Sequence, residues 1–208
     1  VKQRYTSRAI PIEELFPKKI GYSTFTDFLV ERTFLRPRDA ILFVNECIER
    51  AADRGQISAQ VIQDAEGAYS TKRIDSLQEE WQTIYPRVAD YIRVFSRRPI
   101  QQRVSDFNEE SMHDWLFNCL QDKKTTDDPV VRAARHWIDD GKSSAFRFTL
   151  VLLESLYVVG AISLKPDTSS PDYWSFFSDF TPSEGSIKPS SIVKLHPTFW
   201  RAVGARPT

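Results

Sequence analysis

Residues Ala40, Ile41, Val44, Cys47, Ile48 and Ala51 recur at steps of three and four, the period that lines one face of an α-helix. A stripe of this kind is expected to be buried against another element, so a helical packet is the starting constraint on the fold. Pro37 suits the first helical turn, where its missing N–H costs nothing, and Gly55 stands where the helix would stop. Arg36 and Arg38 stand at the entrance of this helix. The helix dipole disfavours a cation there by about 0.3–1 kcal/mol. Two readings stay open: the guanidinium groups turn back to acidic neighbours, which for Arg38 are Asp39, Asp27 or Glu31, or they are held out for an anion on another part of the protein.

The neighbouring segments supply partners for the stripe. Ser23 is a cap for a helix with Phe25, Phe28, Leu29 and Phe34 on its apolar face. Ser58 is a cap for a third helix that turns Val61, Ile62, Ala65 and Ala68 or Tyr69 inward. Leu77, Trp81, Ile84 and Tyr85 continue the helical period to Pro86, which kinks or restarts it before Val88, Tyr91, Ile92 and Phe95. Residues 1–22 read as a connector and residues 23–98 as a helical-bundle domain. The run Ser96-Arg97-Arg98-Pro99, with Gln101, Gln102 and Arg103, reads as a solvated linker over residues 99–104.

Residues 105–208 follow another pattern. Ser105 or Asn108 opens a helix with Met112, Trp115, Leu116, Cys119 and Leu120 inside, and Asp128-Pro129 opens a second around Val130, Ala133, Ala134 and Trp137. Ser143 or Ser144 caps a third, through Leu150, Leu153, Leu156 and Tyr157. Strands are expected at Ile162–Lys165, Tyr173–Phe177 and Ile192–Leu195, with a polar turn from Pro166 to Pro171. Three helices followed by a small antiparallel sheet is the order of a winged-helix domain. The expected fold class is therefore mainly α, a helical bundle followed by a winged helix. If the second half touched nucleic acid, its contacts would be Lys142, Ser143, Ser144 and Arg147, with Lys165, Ser169 and Ser170 on the wing. Residues 105–208 hold 11 Lys/Arg against 14 Asp/Glu, a poor match to a phosphate backbone. A protein contact is the favoured reading of this half.

Several chemistries are excluded or disfavoured. Gly141-Lys142-Ser143 resembles the end of a phosphate-binding loop, but His136 stands where that loop needs a glycine, and a helix precedes it where a strand is required. His113, His136 and His196 share no metal-ligand spacing with one another or with Cys47 and Cys119. Glu79-Glu80 and Asp139-Asp140 are adjacent on helices and so diverge. Seven glycines are too few for Gly-rich nucleotide loops and many-turned β architectures. A chain without catalytic machinery, metal or cofactor of its own is expected. The two cysteines read as buried thiols of a reducing, cytoplasmic protein, and with no apolar run of membrane-spanning length no membrane partner is expected. A start at Val1 rather than Met reads as a piece of a longer protein.

The stretch from Leu35 to Ala68 resembles the helical lid of AAA+ and related signalling P-loop ATPases of the bacterial initiator and STAND type. The features that carry the likeness are Arg36-Pro37-Arg38-Asp39, the small-residue stripe from Ala40 to Ala51, Gly55, and Ile57-Ser58. Tyr69-Ser70, Glu80-Trp81 and Tyr85-Pro86 match a run that follows the lid in some of these ATPases. The resemblance implies that Arg38, and less directly Arg36, occupies the position of the lid arginine that reaches nucleotide phosphates. ATP and Mg²⁺ would then belong to the parent ATPase, whose P-loop core is the implied partner. A separate protein partner, self-association and DNA are the other partners this reading leaves open.

Overall fold

The computed structural model describes residues 12–52, 54, 56–121, 127–140 and 145–207. The chain is mainly helical with small antiparallel sheets. It divides between Tyr69 and Ser70 into two compact units. The division falls inside one continuous helix, where the sequence reading placed it at residues 99–104.

The first unit begins with α1 (Ile12–Leu15) and a two-residue hairpin, β1 (Lys19–Ile20) and β2 (Ser23–Thr24), turned at Gly21 with φ +61°. Helix α2 (Phe25–Arg32) is capped by Thr24, whose Oγ1 accepts from the Asp27 N–H at 3.1 Å. This is one residue after the expected Ser23. Helix α3 (Pro37–Ala51) follows, and α4 (Ala59–Trp81) opens with Ser58 Oγ accepting from the Val61 N–H at 3.3 Å. The core gathers Phe16, Ile20, Phe28, Phe43, Ile62 and Tyr69. Phe16 stacks on Phe25 at 3.8 Å between centroids, and Phe43 meets Phe28 at 6.2 Å and Tyr69 at 5.2 Å edge-on. Phe16 and Ile20 are therefore core residues, although they fall in the stretch expected to be a connector. Arg32 lies 3.7 Å over the Phe28 ring and donates from Nε to buried Glu66 at 2.7 Å.

In the second unit, Gln78 stitches the turn around Pro86: its amide donates to the Pro86 carbonyl, and its Oε1 accepts from the Ala89 N–H at 3.0 Å. Helix α5 (Val88–Ile92) follows, and then β3 (Gln101–Arg103). The expected linker is thus a strand. Arg97 takes a left-handed φ of +59°, Ile100 is buried, and β3 pairs antiparallel with a later strand. The basic run is not simply solvated: Arg98 is half-buried over the Phe107 ring and donates to the Ser111 carbonyl, and burial pushes its pKa below the usual arginine value.

Helix α6 (Glu109–Gln121) is capped by Asn108, whose Oδ1 accepts from the Ser111 N–H at 3.0 Å. Helix α7 (Pro129–Asp140) is capped by buried Asp128, whose Oδ1 accepts from Val130 and Val131 at 2.9 and 3.2 Å. Helix α8 (Ala145–Val158) ends at Gly160 with φ +79°, where Gly160 donates to Tyr157 and Ala161 to Leu156, the double closure of a glycine-ended helix. Strands β4 (Ile162–Lys165) and β5 (Ile192–Leu195) complete a sheet of order β3-β5-β4, followed by the short α9 (Trp200–Val203). The strand expected over Tyr173–Phe177 is reduced to one bridge, Leu164 to Tyr173. Its aromatic side chains pack locally instead: Tyr173 stacks on Phe180 at 4.6 Å, and Trp174 meets His196 at 5.1 Å.

Candidate functional site

The entrance and outer face of α3 form the site that combines charge with unsatisfied apolar surface. Leu35 takes a left-handed φ of +53° and turns the chain into Arg36, the extended N-cap residue, after which Pro37 opens the helix. Leu35, Arg36, Pro37 and Arg38 are all exposed. The Arg36 guanidinium stands 6.0 Å from the Phe34 ring centroid. Nearby, Asp39 is buried, Asp27 accepts from the Thr24 hydroxyl at 2.7 Å, and Glu31 pairs with Arg32 at 3.1 Å.

The helix is rotated from the orientation its small-residue stripe predicts. Its buried face is Asp39, Phe43, Glu46, Cys47 and Ala51, while Ile41 is 60 % and Ile48 46 % exposed and Val44 is half-buried. The physical reason is Phe43. An aromatic ring buries more apolar area than Ile41, and Phe43 closes the gap between Phe28 and Tyr69. Pro37, Ile41 and Ile48 are left on one open face, with the two arginines at its amino end, while Val44 packs against the core. Cys47 lies beneath, and burial pushes its thiol up to about 12, with the Glu46 carboxylate adding to the rise. The native chain is therefore expected to leave Cys47 unmodified by a thiol-alkylating reagent at neutral pH and to expose it only on denaturation. Peptide mapping reads this directly.

The other sequence candidates do not converge. Lys142, Ser143, Ser144 and Gly55 lie outside the described residues, as does the side chain of Cys119. Arg147 is exposed on α8, and Lys165 is half-buried at the end of β4. The wing serines are occupied: Asp167 Oδ1 accepts from the Ser169 N–H and hydroxyl at 2.9 and 2.6 Å and from the Ser170 N–H at 2.9 Å. These bonds hold the Asp167 carboxyl down to about 2. Among the described residues no group of three or more His, Cys, Asp or Glu is placed to hold a metal, and no helix is long and apolar enough to cross a membrane.

The class these observations define is a mainly helical domain with small antiparallel sheets, presenting a basic-ended apolar helix face. Residues 1–78 match a family model described as the FunZ-associated C-terminal helical domain, a segment that contains all of α3. No curated protein and no solved structure matches the chain.

Proposed function

We propose that this chain is a noncatalytic accessory module that docks on a partner protein through the open face of α3. The observation that carries this reading is the exposure of Ile41 and Ile48 beside Arg36 and Arg38, within the segment similar to a FunZ-associated domain. An apolar helical stripe ending in two cations fits an apolar surface with acidic groups at one edge. The family's description makes FunZ the partner to try first.

The finer reading is that the partner carries the P-loop core of an ATPase, and that the module couples its nucleotide state to engagement. Arg38, with Arg36 beside it, would then meet an anionic phosphate held by the partner. The exposed position of both arginines at the entrance of α3, Arg36 as its N-cap and Arg38 on its first turn, supports it. The partner would supply ATP and Mg²⁺; this chain contributes positive charge and a docking face. In the assembled ATPase, Arg38→Ala is expected to lower turnover about tenfold or more, with Arg38→Lys intermediate. Unchanged ATP affinity and turnover would remove the arginine role. Co-purification of FunZ with the Ile41→Asp/Ile48→Asp variant at the wild-type level would remove the docking role.

The strand order β3-β5-β4, with helices between β3 and β4 and a long loop before β5, supports a winged-helix reading of the second unit. Its use as a duplex reader has less support. The open side of α8 sets Arg147 among Leu150, Val151, Glu154 and Val158, so one cation is offset by one anion on a largely apolar surface. Self-association is the remaining alternative, and light scattering on the purified chain separates it from docking on a different protein.

A further inference from the structure

The charges of residues 70–208 are segregated. Residues 91–105 and 185–208 hold eight Lys/Arg and no Asp/Glu, while the rest of this unit holds ten against eighteen. The fold lays the two stretches side by side. β3 pairs with β5, and Arg206 is bridged in parallel to Pro99 along the other edge of β3, its N–H donating to Arg98 at 2.9 Å and its carbonyl accepting from Ile100 at 2.8 Å. Burial alternates along this stretch: Ile100 and Gln102 are buried, and Pro99, Gln101 and Arg103 are exposed. The register sets Gln101 across from Lys194 and Arg103 across from Ile192, which is itself across from Lys165 on β4. Arg103, Lys165, Lys194 and Arg206 therefore share the sheet face opposite buried Gln102, Val193 and Leu164. Strand spacing and rise spread them over about 10 by 13 Å. Among the described residues none of the four joins an ion pair, whereas Arg87 and Arg93 of the same unit pair with Asp90 at 3.0 and 3.2 Å.

The same face continues into aromatic surface. His196 is the next outward position after Lys194, and Trp174 and Phe176 pack on its ring at 5.1 and 6.0 Å. Phe177 meets Phe176 at 4.7 Å and is 68 % exposed. We propose that this face binds single-stranded nucleic acid, with phosphates on the cations and a base stacked on Phe177. The surrounding acids fit that division. Asp106 and Asp167 lie beyond the strand ends and are tied to local groups, Asp106 accepting from the Arg103 N–H and Asp167 from the Ser169 and Ser170 N–H groups, each at 2.9 Å. Asp172 and Asp179 are exposed and flank the aromatic segment in sequence. A base brings a ring and amino donors to that segment, whereas an anionic lipid or an acidic peptide would bring negative charge to the aspartates. A duplex keeps its base faces stacked within itself and offers none to Phe177. This inference stands on the second unit alone and is independent of the α3 docking proposed above.

The test uses the whole chain and fluorescence anisotropy. The probes are labelled uridine and thymidine oligonucleotides of about 10 nucleotides. A duplex of the same length, a polyglutamate peptide and phosphatidylserine vesicles are the comparisons. The single strands are expected to bind saturably and to weaken as salt is raised. Arg103→Gln/Arg206→Gln is expected to lose about tenfold in affinity and to flatten the dependence of log affinity on log salt by about 1.4. Phe177→Ala is expected to lose about fivefold or more with that dependence unchanged. All three side chains are exposed, so the variants are expected to keep the wild-type circular dichroism spectrum, and Arg103→Lys/Arg206→Lys to keep most of the binding. No saturable binding of either single strand overturns the proposal, as does wild-type affinity in the Gln/Gln variant or in Phe177→Ala. Preference for the duplex, the peptide or the vesicles would also overturn it and assign the face to that ligand.

Discussion

Phe43→Ala is expected to lower folding stability by about 3–5 kcal/mol, while Ile41→Ala and Ile48→Ala each change it by less than about 1 kcal/mol. The three residues sit on one helix and have comparable hydrophobicity. Their environments set the difference: Phe43 is fully buried between Phe28 and Tyr69, and both isoleucines are largely exposed. Removing the Phe43 ring leaves a cavity that the surrounding aromatics fill only in part, so a cavity cost is added to the lost transfer energy. Urea denaturation of the three variants reads the rotation of α3 directly. Equal losses at Phe43 and Ile41 would mean that the Ile41 face is buried as well and would remove the open stripe on which the docking proposal rests. Ile41→Asp and Ile48→Asp are the complementary pair, expected to leave the fold intact while weakening partner capture.

The second large effect is acid sensitivity centred on His196. Its ring is buried among aromatic side chains, meeting Trp174 at 5.1 Å, Phe176 at 6.0 Å and Phe199 at 6.4 Å, and Nδ1 accepts from the Thr198 N–H at 3.2 Å. Burial, together with the positive charges of Arg73 and Lys194, pulls its pKa down from 6.5 to about 3. The folded state therefore holds the imidazole neutral, while the unfolded chain takes up a proton as pH falls through 6.5. The stability this group contributes is complete above pH 6.5 and is lost as pH falls towards 3, at up to about 1.4 kcal/mol per pH unit. His196→Asn keeps an acceptor suited to capping the turn and cannot titrate in this range. The difference between wild-type and variant stability, measured by urea denaturation across pH 7 to about 4, is expected to shrink as pH falls. A constant difference would mean that the imidazole takes up its proton over the same pH range in the folded and the unfolded protein. Asp167, also held low, is exposed and makes no comparable contribution.

Most features that depend on neighbours in sequence were legible there, although the α2 cap is Thr24 and not Ser23, and the α6 cap was open between Ser105 and Asn108. Pro37 opens α3, Ser58 caps α4, Asn108 caps α6 and Asp128 caps α7, because a capping side chain and the N–H groups it satisfies are a few residues apart. The strands Ile162–Lys165 and Ile192–Leu195 also stand as their apolar residues suggest. The mistaken expectations share a different cause. Gln101–Arg103 is too short and polar to read as a strand, and becomes one because β5 offers it a ladder from far along the chain. Tyr173–Phe177 has strand-like composition but gains more from stacking its rings than from extending the ladder.

The candidate site divides in the same way. Arg36 and Arg38 were legible from their place before a helical stripe, and the charge balance of the second half disfavoured a duplex reader before any geometry was known. The groove between α7 and α8 was not legible, because Arg132 and Arg147 come to line it only when the two helices pack. Nor was the basic sheet face, because β3 and β5 bring Arg103 and Lys194 together from distant parts of the chain. The sequence by itself determined that α3 is a helix, where it starts, and that it carries more apolar surface than a solvated helix needs. Only the tertiary structure decided which apolar face is core and which is open. Positions three and four apart define both faces equally well, and the choice falls to the packing of Phe43 against Phe28 and Tyr69, which buries the larger surface and leaves Ile41 and Ile48 for a partner.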